Sequence, residues 1–257
     1  MSFGSWLLVS VALAAPVTAG TASAASIGLQ QATATFSQTG FPVGQAIDGL
    51  LPTISSYNGW AIHPNEGNQT AAFESVADTP TFAGGTALTF TLNHTFFNPL
   101  GMPSPGPSEH ALGRFRLSVT TAGRSTFADG LATGGDVTPD TGWTVLDPSS
   151  YSSANAQVIT KLADKSLLVT ENDTLHDVYT VLAYTALTGL TGFRLEVMAD
   201  PSLPHGGPGL QDSNGNFVLA EFSVDAAPVP EPTTLLLWGT TAVGLAAVRR
   251  LRQRRAA

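Results

Sequence analysis

The central part of the chain is a series of short β-type runs. Apolar and polar residues alternate in Arg114–Thr120 (RFRLSVT) and in residues 193–198 (FRLEVM). This period of two predicts strands with one buried face and one face in solvent. Gly, Pro, Asn and Asp separate the runs, and no run of the body keeps a 3.6-residue period. The pattern therefore predicts an all-β fold, an antiparallel β-sandwich or jelly roll. Further runs of this kind are residues 71–74, 87–92, 167–169, 178–183 and 217–224.

The N-terminus has the pattern of an export signal. An apolar run over residues 6–15 is followed by the small-residue stretch Ala22-Ser23-Ala24. This order predicts a signal peptide helix over residues 1–24 that is removed after Ala24 or Ala25. No Lys or Arg precedes the apolar run, and a buried N-terminal helix is the alternative interpretation.

The C-terminus combines a proline motif, an apolar segment and a basic tail. Pro230, Glu231 and Pro232 end a linker over residues 226–232, and five arginines lie in residues 249–257. The uncharged segment between them, residues 233–248, would form a helix of about 24 Å, somewhat short of a hydrocarbon core of about 30 Å. The segment predicts a short transmembrane helix with the arginines in the cytoplasm.

This order of features resembles the PEP-CTERM sorting signals. The resemblance implies an exosortase that recognises Pro230, Glu231 and Pro232 and removes the tail. It also implies export across the cytoplasmic membrane to the cell envelope or the extracellular matrix. A plain C-terminal membrane anchor is the alternative.

The body, residues 25–225, is acidic and contains no cysteine. It carries six Lys and Arg against 18 Asp and Glu, a formal charge of −12. This charge argues against nucleic acid or anionic lipid as a partner and favours neutral ligands or cations. Without cysteine no disulfide stabilises the fold, so stability depends on the apolar core and on any bound ion.

A set of short motifs runs in order along the body. They are residues 34–38 (ATFSQ), 46–49 (AIDG), 59–62 (GWAI), 112–120 (LGRFRLSVT), 194–197 (RLEV), 200–204 (DPSLP), 207–209 (GPG) and 214–219 (NGNFVL). Together they resemble a module of planctomycete secreted proteins that belongs to the galactose-binding-like β-sandwiches. The AIDG motif, the following Trp and a Glu in the last strand are also similar to discoidin and carbohydrate-binding modules. The resemblance implies a fold more directly than a ligand, since one fold serves many functions.

The resemblance further implies a structural calcium ion. In similar modules a loop such as 46–49 and the last strand hold Ca²⁺, which selects Asp48 and Glu221 as carboxylate ligands. Ala46 and Ala220 are candidates to supply carbonyl oxygens to the six- to eight-oxygen shell. In the alternative interpretation Asp48 makes a local turn and Glu221 faces solvent. A second oxygen-rich stretch, residues 212–216 (DSNGN), has the spacing of a calcium loop but is also a typical turn.

Aromatic and polar residues near predicted loops form a candidate glycan site. An exposed Trp stacks on the C–H face of a sugar, and His or Arg hydrogen-bonds its hydroxyl groups. A buried core position is the alternative for Trp60, and a solvated surface position is the alternative for Arg114. The predicted ligand-binding residues are Trp60, His63, His110, Arg114 and Trp143.

The sequence contains none of the common catalytic motifs. It has no Cys nucleophile, no G-x-S-x-G, no H-E-x-x-H and no P-loop, so we expect no enzymatic activity. The prediction is a non-enzymatic surface or matrix protein that binds glycan or exopolysaccharide. A purely structural matrix protein and a hydrolase with an unrecognised site are the alternatives.

Overall fold

The alternating segments of the sequence form antiparallel strands. The structure is a computed structural model that describes residues 23–53, 56–98, 106–107, 110–128, 137, 142–170 and 176–229. The strands are β1 (Ala25–Ser26), β2 (Leu29–Ala34), β3 (Trp60–Ala61), β4 (Gln69–Ser75), β5 (Thr86–Asn93), β6 (Phe97–Asn98), β7 (Gly106–Pro107), β8 (Arg114–Thr120), β9 (Trp143–Val145), β10 (Pro148–Ser153), β11 (Val158–Lys161), β12 (Leu167–Thr170), β13 (Val178–Thr185), β14 (Gly192–Val197), β15 (Val218–Leu219) and β16 (Glu221–Pro228).

Most of the strands belong to two sheets. The smaller sheet has five strands in the order β1-β16-β5-β13-β10. The larger sheet has the order β11-β12-β8-β14-β4-β2, and β9 is a seventh strand that pairs with β8. Two additional strand pairs, β3 with β15 and β6 with β7, lie outside these sheets. All of these strand pairs are antiparallel.

The two sheets pack face to face through one apolar core. Phe73 of β4 stacks on Phe222 of β16 with ring centroids 4.6 Å apart. Phe90 of β5 meets Phe193 of β14 edge to face at 5.9 Å. Because each contact joins one sheet to the other, the fold is an antiparallel β-sandwich, and the all-β prediction is confirmed.

The outward face of the larger sheet carries polar side chains, as the alternation predicts, but part of this face is not in solvent, because Ser118 and Arg194 are buried. Arg116 of β8 lies opposite Glu196 of β14. The guanidinium donates to both carboxylate oxygens, each at 2.8 Å. This two-point ion pair occupies Arg116 and raises its pKa, first through the hydrogen bond to Glu196.

Helical structure in the described residues is confined to short 3-10 turns such as Val43–Ile47 and Pro204–Gly206. No helix found there is long and apolar enough to cross a membrane. Residues 1–22 of the predicted signal peptide lie outside the described residues. The same holds for Pro230, Glu231, Pro232, the predicted transmembrane segment and the arginine tail.

The two ends of the sandwich differ in what they carry. Strand β16 begins at Glu221, which pairs with Asn93 of β5, and ends at Pro228, which pairs with Thr86. We call the end at Glu221 the loop end and the end at Pro228 the terminal end. Strand β1 joins the sheet beside the later part of β16, where Ala25 pairs with Ala226.

Candidate functional site

The short strands β3 and β15 pair with each other at the loop end, and the loops of this end pack against them. The turn Gln38 to Phe41 lies beside β3, because the Gln38 N–H donates to the Ala61 carbonyl at 2.8 Å. Gly59, just before β3, has φ +123°, and a Cβ at that position would lie 2.8 Å from the carbonyl oxygen of Leu219. A glycine is therefore required for the close approach of this segment to β15.

The structure brings the two predicted calcium-binding carboxylates to the loop end. Asp48 follows the 3-10 turn Val43–Ile47, and its Oδ1 accepts hydrogen bonds from Leu50 N at 2.8 Å and Asn58 Nδ2 at 3.0 Å. Glu221 Oε2 accepts a hydrogen bond from Gly49 N at 3.1 Å. The loop after Asp48 is thus attached to the first residue of β16.

The environment of Glu221 disfavours its negative charge. Burial raises its pKa to about 7, the charge of Asp48 adds to the rise, and the hydrogen bond from Gly49 opposes it. A cation between the two carboxylates would reverse this effect. Glu221 also lines a shallow cleft of about 140 Å³ together with Ser26, Ile27, Leu29, Ile47, Phe222 and Ser223.

The carboxylate oxygens of Asp48 and Glu221 suit a hard cation, but two carboxylates are too few to form a complete shell. Among the described residues no group of three or more His, Cys, Asp or Glu side chains is placed to hold a metal. A calcium shell needs six to eight oxygens, so carbonyls would have to complete it. Ala46 and Ala220 lie close in sequence to Asp48 and Glu221, and both are fully buried. Their carbonyl oxygens remain the candidates to complete the shell.

Trp60 belongs to the apolar core. Its side chain is completely buried, its Nε1 donates to the Phe36 carbonyl at 3.0 Å, and its ring meets Phe217 edge to face at 5.0 Å. The ring offers no face to solvent, so stacking of Trp60 on a sugar is incompatible with this position.

Arg114 is held by two carboxylates. Its Nη2 lies 2.8 Å from Asp164 Oδ2 and its Nη1 lies 3.1 Å from Asp200 Oδ2. Its Nε donates to Ser166 Oγ at 3.1 Å. The guanidinium of Arg114 therefore connects loops of the larger sheet through three hydrogen bonds. It is not the freely solvated side chain of the alternative interpretation.

Trp143 lies far from the other predicted ligand-binding residues. It pairs with Thr120, at the end of β8 opposite Arg114. The guanidinium of Arg194 lies 5.2 Å from the centre of the indole ring, and Phe127 packs against it edge to face at 5.4 Å. Trp143 is half-buried in this contact and covers the side chain of Arg194, which is 3% exposed.

The two predicted histidines at the loop end differ in accessibility. His110 packs against Phe96 with ring centroids 4.8 Å apart, and burial lowers its pKa to about 4. The side chain of His63 is 50% exposed. Its Nδ1 lies 2.5 Å from Glu66 Oε1 and 3.3 Å from Asn214 Nδ2.

Polar side chains from three loops surround His63. Gln38 Oε1 accepts hydrogen bonds from His63 N at 3.2 Å and from Asn216 Nδ2 at 3.4 Å. Asn216 Oδ1 accepts from Ile62 N at 3.1 Å. We call His63, Glu66, Gln38, Asn214 and Asn216 the His63 cluster. Because Glu66 accepts from Nδ1, the histidine is oriented with Nε2 as its remaining hydrogen-bonding atom.

The stretch 212–216 is held by hydrogen bonds between side-chain oxygens and nearby main-chain N–H groups. Asn214 Oδ1 accepts from Asn216 N at 2.9 Å, and Gln211 Oε1 accepts from Ser213 N at 2.8 Å. These bonds form a turn that carries Asn214 to His63. The sequence suggested a calcium loop at this stretch and gave no signal for its part in the His63 cluster.

Two further residues at the loop end were not selected from the sequence. Tyr57 is 53% exposed and lies 5.5 Å from the ring of Phe41. His94 is fully buried beside Tyr179, with ring centroids 4.6 Å apart. Neither residue lies in a recognisable motif, so only the fold reveals their surroundings.

Comparison with known proteins gives no family for this chain. No protein-family model and no curated protein sequence matches it. Among solved structures it is similar to a chain described in work on the multiple functions of a Streptococcus pneumoniae beta-galactosidase. The similarity has a TM-score of 0.34 and 12% sequence identity, and it covers 69% of this chain and 100% of the other. A TM-score at this level supports no inference about function, so the assignment of an antiparallel β-sandwich depends on the strand pairing and the core of this chain.

Proposed function

We propose that this β-sandwich is a non-enzymatic, galactose-binding-like module that binds a neutral glycan, such as an exopolysaccharide, at its loop end. The observation that carries the proposal is the His63 cluster. It presents the exposed imidazole of His63 and the half-buried carboxamides of Gln38 and Asn214. Hydrogen bonds of Gln38 and Asn216 fix the positions of these loops. Imidazole and carboxamide groups both donate and accept hydrogen bonds, as sugar hydroxyl groups do.

The charge of the body supports a neutral ligand. The formal charge of −12 over residues 25–225 repels polyanions such as nucleic acids. The guanidiniums of Arg114 and Arg116 form ion pairs with carboxylates of the protein, which leaves them poorly placed for an acidic sugar. A neutral polysaccharide is not repelled by this charge and needs no free guanidinium to bind.

The proposal also covers export and sorting. Residues 1–24 act as the signal peptide, residues 25–225 as the domain and residues 226–232 as the linker with the sorting motif. The segment 233–248 and the tail 249–257 hold the precursor in the membrane until an exosortase removes them. The mature protein then belongs to the cell envelope or the extracellular matrix. These assignments are supported by the sequence pattern of the two chain ends.

We expect the purified protein to bind a neutral oligosaccharide and the His63→Ala and Asn214→Ala variants to bind it more weakly. Loss of one hydrogen bond at the site corresponds to about a three- to tenfold lower affinity. A glycan array identifies the oligosaccharide, and isothermal titration calorimetry measures its affinity for each variant.

Thr160→Ala is the control variant for this experiment, because Thr160 is exposed on β11 and should leave the affinity unchanged. A protein that binds no glycan on the array would contradict the proposed function and leave the purely structural matrix protein as the better description. Release of reducing sugar during the titration would point instead to a hydrolase.

We also propose a structural Ca²⁺ held by Asp48 and Glu221, with carbonyl oxygens of Ala46 and Ala220 in its shell. Calcium at about 100 times its Kd should stabilise the native state by about 2.7 kcal/mol. For a domain of this size that corresponds to about 5–10 °C in Tm. Thermal melting in excess calcium and in chelator measures the difference for the wild type and for Asp48→Asn and Glu221→Gln.

The matched control for the calcium experiment is Asp225→Asn, because Asp225 lies on the same strand as Glu221 and pairs with Thr89 away from the site. This variant should keep the full response to calcium. Equal melting temperatures of the wild type in calcium and in chelator would show that no ion binds, and Asp48 would then serve only as a turn residue.

A further inference from the structure

Large apolar side chains are exposed in one loop at the loop end. The described residues include seven strongly exposed large hydrophobic side chains, and three of them, Leu50 (62%), Leu51 (50%) and Tyr57 (53%), lie close together in sequence. We call residues 49–53 and 56–58 the Tyr57 loop. Because exposure of such side chains costs free energy, a group of them marks a candidate interaction surface.

The ring of Tyr57 is held in a defined orientation. It meets Phe41 edge to face at 5.5 Å and lies nearly parallel to Phe96 at 6.5 Å with an interplanar angle of 28°. Phe41 and Phe96 are both buried and pack on Ala61 and Val218 of the β3–β15 pair. The aromatic contacts therefore support the ring from the protein side and leave part of it in solvent.

The backbone of the Tyr57 loop is also fixed. Asn58 Nδ2 donates to Leu50 O at 2.6 Å and to Asp48 Oδ1 at 3.0 Å, and the Asn58 side chain is buried. Thr53 and Ser56 exchange main-chain hydrogen bonds at 3.1 Å. A ring presented by a fixed loop loses little conformational entropy on binding a ligand.

One tight turn connects Tyr57 to the His63 cluster. Within the turn, Gln38 and Phe41 pair with each other, and Phe41 N donates to Gln38 O at 2.9 Å. The side chain of Gln38 contacts His63, whereas the ring of Phe41 contacts Tyr57. The aromatic face and the polar cluster are thus neighbouring parts of one surface.

The charge of the loop argues against an anionic partner. Residues 49–53 and 56–58 contain no Lys or Arg, and Asp48 precedes them. Lipid surfaces and acidic chains are bound by basic residues. A fixed aromatic ring beside the imidazole and carboxamide groups of the His63 cluster instead matches a pyranose ring, which has an apolar C–H face and a rim of hydroxyl groups.

We infer that Tyr57 is a stacking platform for a sugar ring of a neutral glycan, with the His63 cluster binding the hydroxyl groups of the same or the next sugar. This inference depends on the proposed function. It adds Tyr57 as a residue that determines the affinity for the glycan. Leu50 and Leu51 extend the apolar surface beside the ring.

The test measures the affinity of Tyr57 variants for the neutral oligosaccharide that binds best on the array. Tyr57→Ala should lower the affinity on the order of tenfold, whereas Tyr57→Phe and Tyr57→Trp should keep it within about threefold, because each retains an aromatic face. Saturation-transfer NMR should show the largest effects at the C–H protons of one sugar ring. Tyr184→Ala is the matched control, since Tyr184 is also an exposed tyrosine (47%) but lies on β13.

The possible results separate this inference from the proposed function. If His63→Ala weakens binding while Tyr57→Ala, with an unchanged Tm, binds like the wild type, Tyr57 is no platform and the proposed function stands. If the wild type binds no oligosaccharide, the proposed function itself fails. Binding of the wild type to phosphatidylcholine vesicles that is lost in Tyr57→Ala would assign the loop to a lipid surface and overturn the inference.

Discussion

Acidification from pH 7.5 to pH 5 in the absence of calcium is expected to lower the Tm of the protein by about 3–6 °C. His94 and His110 at the loop end make the largest contributions, and burial also lowers the pKa of His176, which acts in the same direction. Burial lowers the pKa of His94 to about 3 and that of His110 to about 4, from an ordinary value of 6.5. Both therefore stay neutral in the folded state over this range, while the unfolded chain takes up protons.

The sign and size of the effect follow from proton linkage. A histidine with a depressed pKa loses its contribution to stability as the pH falls below 6.5, and the loss is complete only near the folded pKa. At pH 5 each of the two histidines costs about 2 kcal/mol of unfolding free energy, at about 1.36 kcal/mol per pH unit. Glu221 acts in the opposite direction, because its pKa is raised from 4.5 to about 7. It restores about 2.4 kcal/mol over this range, so the net loss is about 1.6 kcal/mol.

The surroundings of His94 explain its low pKa. The side chain is fully buried, and neither ring nitrogen makes a hydrogen bond of good geometry. Burial has the largest effect on the pKa, and the hydrogen bond with the backbone of Asp177 opposes it. A charged imidazole at this position would lose more by dehydration than it gains from the backbone of Asp177.

The variant that tests this explanation is His94→Phe, which keeps a flat ring and removes the titrating group. The substitution removes a contribution of about 2 kcal/mol, so little or no loss of Tm should remain between pH 7.5 and pH 5. His205→Asn, at an exposed position, should behave like the wild type. An undiminished pH dependence in His94→Phe would show that other groups cause it.

Trp60→Ala is expected to lower the free energy of unfolding by about 3–5 kcal/mol. This corresponds to about 6–20 °C in Tm for a domain of this size. The substitution removes a completely buried ring, its edge contact with Phe217 and the hydrogen bond from Nε1 to Phe36 O. Chemical denaturation followed by circular dichroism measures the change.

Trp60→Phe and Tyr184→Ala are the comparison variants for this experiment. Trp60→Phe keeps most of the apolar volume and should cost less than Trp60→Ala, while Tyr184→Ala removes an exposed ring and should cost little. A Trp60→Ala variant with normal stability but reduced affinity for glycan would reinstate Trp60 as a ligand-binding residue.

The regular strands were predictable because the information for them is local. The alternation in Arg114–Thr120 coincides with β8, and the alternation that starts at Phe193 lies within β14 and its continuation. The two-residue strand β3 is too short to show a period, so the sequence left the burial of Trp60 open. Its position depends on pairing with β15, which lies far along the chain.

The chemistry of the candidate site was less predictable because it depends on distant partners. Arg114 meets Asp164 and Asp200, which are 50 and 86 positions away. The hydrogen bond from Gly49 to Glu221 spans 172 positions. Only a family resemblance pointed to Asp48 and Glu221 together, and nothing in the sequence marked Tyr57 or the partners of His63.

The direction of β16 determines which end of the sandwich faces outward when the domain is attached to a surface. The strand leads from Glu221 at the loop end to Pro228, a distance of about 23 Å at about 3.3 Å per residue. Because β1 is antiparallel to β16, the chain enters the domain at the same end from which it leaves. A tether attached beside Ala25 or Pro228 therefore lies at the end of the sandwich opposite to Tyr57 and His63. Immobilisation at that end leaves the loop end free to reach an external polymer.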